Sequence, residues 1–216
     1  MYSTLLAIHV AAGFISLTGG FASAATKALP VAHGWHKRFG RLFLFGMCGV
    51  LATALPMTVL RPNLFLLMIT LGSIYLAATG WRSARNRNGI PSRTDYALAA
   101  GILIVSVAAV AKGVTMLLRG DSMGWVMCVT FVVGTILGLS DLRKFRAAGA
   151  RGHERVARHA LRMMLGTIGA LTAFVVTNFR VDPYFVLWLA PLFLLGPLAL
   201  WWSFRIKTGA SKYEMQ

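Results

Sequence analysis

Histidine is the residue type in this chain best suited to bind a metal or pass a proton, and there are five copies, at positions 9, 33, 36, 153 and 159. His36 stands at the mouth of a long apolar run in the stretch VAHGWHKRFGRLF, residues 31–43, and His159 opens another apolar run. Neutral imidazoles from two facing helices can ligate haem iron or another transition metal. They can also relay protons near neutral pH. Arg41 and Arg162 follow their histidines by one to two helical turns. A guanidinium there could hold a haem propionate or a lipid phosphate. His36, His159, Arg41 and Arg162 are therefore the candidate cofactor-binding residues, with His36 and His159 the candidate metal ligands. Asp141, Tyr75 and Trp81 are expected on the same side. The competing reading is an interfacial belt, in which Trp, His and Arg meet headgroups.

A second group is expected at the opposite side. Ionisable groups inside membrane spans are costly and become functional candidates for that reason. His9 and Lys112 should lie at similar depth, and Thr177 and Asn178 end a span on that side. His9, Lys112 and Asn178 are the candidate lining of an outer polar pocket. The bland alternative has Lys112 snorkelling to headgroups and His9 bonding a neighbouring helix. The sequence contains no HExxH, no Cys/His zinc spacing and no Gly-rich phosphate loop. Cys48 and Cys128 both sit inside apolar runs and read as packing residues.

The elements that must position these side chains are long apolar helices. The 216 residues are 57% hydrophobic and only 13% charged, where soluble domains carry about 25% charged residues. Apolar stretches of about 20 residues match a helix crossing a ~30 Å hydrocarbon layer. Alternating segments of ~10 residues, as in a transmembrane barrel, do not occur. The expectation is an all-α integral membrane protein with seven transmembrane helices near 3–25, 39–60, 63–81, 95–118, 122–141, 159–179 and 183–204. The whole chain, 1–216, then forms one transmembrane domain. The first span lacks a basic leader region and is too long for a secretory signal, so it is expected to be retained.

The net charge of +16 would suit nucleic acid, but the basic residues lie between apolar runs and not on one soluble face. Membrane topology explains them, and no nucleic-acid partner is expected. Lys and Arg crowd the connections 26–38, 82–94 and 142–158 and the tail, whereas the other connections carry Arg61, Arg119 and Arg180 singly. The positive-inside rule then puts the N-terminus outside and the C-terminus in the cytoplasm. The turns RPN, RGDS and RVDP are short, so the helices that they join should be antiparallel neighbours. Small residues recur at helical spacing at Ser16, Gly20 and Ala24, at Gly134 and Gly138, and at Gly166 with Ala170. Such faces let helices approach closely in lipid.

The stretches from His36 and from His159 read alike: histidine with nearby arginine, a Gly/Ala-rich span, an Arg and Pro turn, then a bulky span. This predicts a 3+1+3 parallel repeat, with halves 1–81 and 122–204 and a linker helix 95–118. Parallel repeats occur among transporters.

His9, then His36 with Lys37, Arg38, Gly40 and Arg41, then His159 with Met163 and the stretch ALTAF (170–174), form a pattern. It resembles that of a DUF2306-like family of bacterial multi-pass inner-membrane proteins of unknown function. The match is partial, since Leu161 and Arg162 precede Met163 where the family has a tryptophan. The resemblance implies a bacterial inner-membrane location and marks His9, His36 and His159 for testing. It implies no activity. The functional expectation is a redox- or cofactor-related protein using haem b or quinone through His36 and His159. The alternatives are a small-molecule transporter of 3+1+3 layout, a non-catalytic accessory subunit of a larger membrane complex and, more remotely, a membrane-embedded metallohydrolase. Expected partners are membrane lipids, with anionic headgroups at the cytoplasmic face, and further copies of the chain or a larger complex. Within the opening stretch, His36 is expected to be the functional histidine and His33 to lie at the headgroups.

Overall fold

The computed structural model describes residues 1–28, 34–147 and 149–210. Among these residues it is all helical. Seven helices run in chain order: α1 (Tyr2–Ala28), α2 (His36–Leu60), α3 (Leu64–Arg85), α4 (Arg93–Leu118), α5 (Gly124–Arg146), α6 (Gly152–Asn178) and α7 (Phe185–Lys207). All seven are long and apolar enough to cross a membrane. The protein is a multi-pass membrane protein. One end of the bundle carries the connections 86–92 and 147–151 with the basic helix ends beside them (Arg82, Arg85, Arg143, Lys144 and Arg146) and is called the basic end below.

Several helix ends follow from local chemistry. The side chain of Asn63 caps α3 by accepting from the Leu66 amide at 3.1 Å. Ser92 and Asp95 form a reciprocal capping box at the start of α4. Asp95 is held further by Arg82, whose Nε and Nη2 both donate at 2.7 Å. Burial of Asp95 is thereby matched by a cation and an orphan helix amide.

Helix α6 departs most from expectation. It begins at Gly152, seven residues before the apolar span. Apolar length marks only the part of a helix in hydrocarbon, and the first two turns of α6 are polar. Arg155 and Arg158 are consequently helical.

Small residues set the closest packing. A Cβ on Gly46 would lie 2.5 Å from the Ser16 backbone nitrogen, and one on Gly19 2.5 Å from that of Phe43. Helices α1 and α2 therefore touch backbone to backbone. Gly134 and Gly138 of α5 pack instead against side chains of α4, those of Ser106 and Ile102. The helices joined by short turns are in contact, as expected.

The parallel repeat is not reproduced in the packing. Its counterpart of the tight α1–α2 pair would be α5–α6. Among the described residues, however, no Cα of α5 comes within 8 Å of one in α6. Similar polarity along two hairpins reflects the membrane that both cross, and it does not dictate the same neighbours.

At the basic end, the connections 86–92 and 147–151 are locked together. Gly89 and Gly149 both have positive φ, at 69° and 81°. A Cβ on Gly149 would fall on the Gly89 carbonyl oxygen, and one on Gly89 against the Ala150 carbonyl. Arg151 Nε donates to the Asn88 carbonyl at 2.9 Å. Arg155 Nη1 donates to the Ser83 and Ala84 carbonyls, each at 2.9 Å, and so caps the end of α3.

Candidate functional site

Two polar constellations lie side by side in the half of the bundle near the basic end. The first is the imidazole pair. His36 and His159 face one another edge to face, with ring centroids 6.5 Å apart and planes at 88°. His36 is the first residue of α2. Its Nδ1 donates to the Ser23 carbonyl of α1 at 3.0 Å and lies 3.0 Å from the Ser23 hydroxyl. His159 sits two turns into α6, and its Nδ1 donates to the Gly80 carbonyl of α3 at 2.9 Å. A carbonyl only accepts, so a ring nitrogen bonded to one carries the proton; His36 Nδ1 meets the Ser23 hydroxyl as well. A backbone carbonyl behind Nδ1 is the usual way in which a metal-ligating histidine is oriented. Four helices, α1, α2, α3 and α6, meet to build this pair.

The second constellation surrounds Asp141 of α5, which is completely buried. Arg158 donates to it twice, Nε to Oδ1 and Nη2 to Oδ2, both at 2.9 Å. Arg162 Nη2 donates to Oδ1 at 2.9 Å, and the Tyr75 hydroxyl donates to Oδ2 at 2.7 Å. Arg158 also donates to the Ser83 hydroxyl at 3.1 Å. The guanidinium of Arg162 lies 5.0 Å above the Tyr75 ring, a cation–π stack. Tyr75, Arg158 and Arg162 are all buried. One carboxylate thus answers two guanidiniums inside a low-dielectric bundle, where each unpaired charge is expensive.

His159, Arg162 and Gly80 connect the two constellations. Arg162 follows His159 by three residues on the same face of α6. A Cβ on Gly80 would lie 3.0 Å from the Arg162 Cβ and would strike the Met163 side chain. Only glycine lets α3 approach α6 here, and the same residue supplies the carbonyl that orients His159.

The structure sorts the expected residues. His36 and His159 come together as expected. Arg162 lies beside them, but it turns towards Asp141. Arg41 does not join: it is exposed, and its Nε donates to the Lys37 carbonyl of its own helix. Arg41 follows His36 by five residues and so lies on another face of α2, whose inward residue in this turn is Phe43. The outer polar pocket does not form. Helices α1 and α4 have no Cα atoms within 8 Å of each other, and Lys112 is exposed. Asn178 is exposed and donates to the Phe174 carbonyl of its own helix at 2.8 Å. His9 Nδ1 meets the Thr53 hydroxyl at 2.9 Å across the α1–α2 contact, so it joins two helices. His33 lies outside the described residues.

Arg158 is the functional residue that the sequence reading assigned elsewhere, to a topogenic loop. The signal was present in the spacing: Arg158 and Arg162 are four apart, and α5 offers one acid, Asp141. Ser23 and Gly80 act through backbone carbonyls, which leave no mark in the sequence.

No protein-family model matches the chain, and no curated protein or solved structure is significantly similar to it. The site must therefore be interpreted from its own chemistry. Among the described residues no cluster of three or more His, Cys, Asp or Glu could hold a metal ion. Any metal held by His36 and His159 must complete its shell from a cofactor or exogenous ligands.

Proposed function

We propose that this chain is a bacterial inner-membrane protein that holds a redox cofactor at the His36–His159 pair, with haem b the first candidate and quinone the second. The observation that carries this reading is the meeting of the two rings between four helices, each with its Nδ1 on a backbone carbonyl of another helix. The two rings, with centroids 6.5 Å apart, are the residues that would hold such a group. Haem b bound there would supply one-electron transfer. The residues themselves would ligate it and fix its orientation through α1 and α3. For a quinone, the imidazoles would exchange protons with the ring oxygens.

The charge pattern supports a cytoplasmic basic end through the positive-inside rule. Three exposed tryptophans at that end stack with arginines: Trp35 with Arg38, Trp81 with Arg85 and Trp201 with Arg205, at 4.7, 5.0 and 5.1 Å. Such pairs suit the headgroup layer of anionic lipid. The unlike packing of α1–α2 and α5–α6 lends no support to a transporter of repeated halves.

The test is an optical spectrum of the chain purified after expression with added haem precursor, together with extraction of bound quinone. A Soret band of bis-histidine type, lost in His36→Ala and His159→Ala, is the expected result. Neither haem nor quinone in the wild-type protein would refute the proposal.

A further inference from the structure

Asp141 has no capacity left. Its oxygens accept four hydrogen bonds, two from Arg158, one from Arg162 and one from Tyr75, and an ionised carboxylate offers about four lone-pair sites. Arg162 is far from satisfied. Its Nη2 reaches Asp141 and, at 3.3 Å, the Leu137 carbonyl. Its Nε and Nη1 are fully buried and have no hydrogen-bond partner among the described residues. Three of its five N–H groups are thus unused, on a side chain only 2% exposed. The charges do not balance either. Asp141 carries one negative charge against two from Arg158 and Arg162. Of the other acids at this end, Glu154 is shared by Lys144 and Lys207 and Asp95 is held by Arg82. Arg155 adds a further positive charge, which meets carbonyls among the described residues. A buried guanidinium in this state is costly unless an acceptor meets it.

We propose that Arg162 marks a binding site for one small monovalent anion, either an inorganic ion or the carboxylate of a small organic acid. The anion supplies the missing negative charge and accepts from the unused N–H groups of Arg162. The site is independent of the imidazole-pair proposal. Its approach is also present. A small cavity at the basic end is lined by Arg82, Arg155 and Arg158 and by one carboxylate, Asp95, which is paired with Arg82. Arg158 therefore faces this cavity on one side and Asp141 on the other, and Arg162 lies one turn of α6 deeper. Positive lining concentrates anions at such an entrance.

The experiment measures thermal unfolding of the purified protein in detergent at constant ionic strength. Gluconate, the bulkiest of the four anions, is replaced stepwise by chloride, nitrate or formate. A saturable rise in the midpoint of about 2–4 °C is expected for the wild type, since a ligand that binds only the folded state stabilises it. A larger response to formate than to chloride or nitrate would identify a carboxylate ligand, and the reverse an inorganic one. Arg162→Gln should abolish the response and leave the gluconate midpoint unchanged or higher, because Asp141 keeps Arg158 and Tyr75. Isothermal titration of the wild type with the same three anions covers the case in which Arg162→Gln does not fold, with one anion per chain expected. The proposal is overturned if the wild type shows no saturable response and no binding. It is equally overturned if Arg162→Gln responds like the wild type, because the effect would then be surface screening.

Discussion

Arg158 and Asp141 form a bidentate pair at 2.9 Å on both arms, across helices whose Cα atoms stay more than 8 Å apart. The α5–α6 interface is thus carried by long side chains and not by backbone packing. Removing the carboxylate strips a partner from Arg158, Arg162 and Tyr75 together. Breaking a buried ion pair costs about 3–5 kcal/mol. Asp141→Asn should therefore lower the unfolding midpoint in detergent by on the order of 10 °C. Tyr75→Phe, which loses one hydrogen bond, should lower it by only a few degrees. A midpoint in Asp141→Asn equal to the wild type would mean that the cluster does not hold α5 to α6.

The imidazole pair predicts a shared phenotype. His36→Ala and His159→Ala should each lower bound cofactor by at least about tenfold, since loss even of an outer-shell partner costs that much. His33→Ala should leave the content near wild type. Pyridine haemochrome assay and quinone extraction on the three variants supply the measurement. Equal losses in all three would assign the stretch 31–43 to the headgroup layer.

The contact of α1 with α2 predicts a steep cost for a single methyl group. In Gly46→Ala the new Cβ meets the Ser16 backbone at 2.5–2.8 Å, so the helices must separate. Overpacking of this kind costs about 1–3 kcal/mol. Gly101→Ala is the control, because nothing lies within 4 Å of its Cβ. It should hold or raise the midpoint, as alanine favours a helix by about 1 kcal/mol over glycine. Melting curves for the two variants should diverge in sign.

Orientation is tested by thiol labelling in a background of Cys48→Ala and Cys128→Ala. Asn88→Cys in the connection 86–92 should resist an impermeant reagent added outside intact cells. Ser122→Cys, in the turn after α4, should react. The opposite pattern would turn the chain over.

The sequence carried the seven spans because apolar length and turn residues record the membrane directly. It carried the His36–His159 pairing because both open spans at the same end. It did not carry the inner partners. Which face of a helix points inward depends on neighbours, and Arg41 and Arg162 look equivalent until α2 and α6 are rotated into place. The same limit applies to Lys112, whose depth was legible and whose direction was not. Arg158 was hidden by a boundary: counting it with a basic loop removed it from the helix on which it is Arg162's neighbour one turn away.

The interlock of Gly89 with Gly149 bears on how the bundle can move. Two connections that share backbone contact cannot slide past each other without breaking both turns. Helices α3, α4, α5 and α6 are thus pinned at one pole. Motion among them is confined to splaying about that pole, like a fan held at its base. Any splaying among them is greatest at the far end and smallest beside Asp141, so an anion bound at Arg162 sits where the bundle moves least.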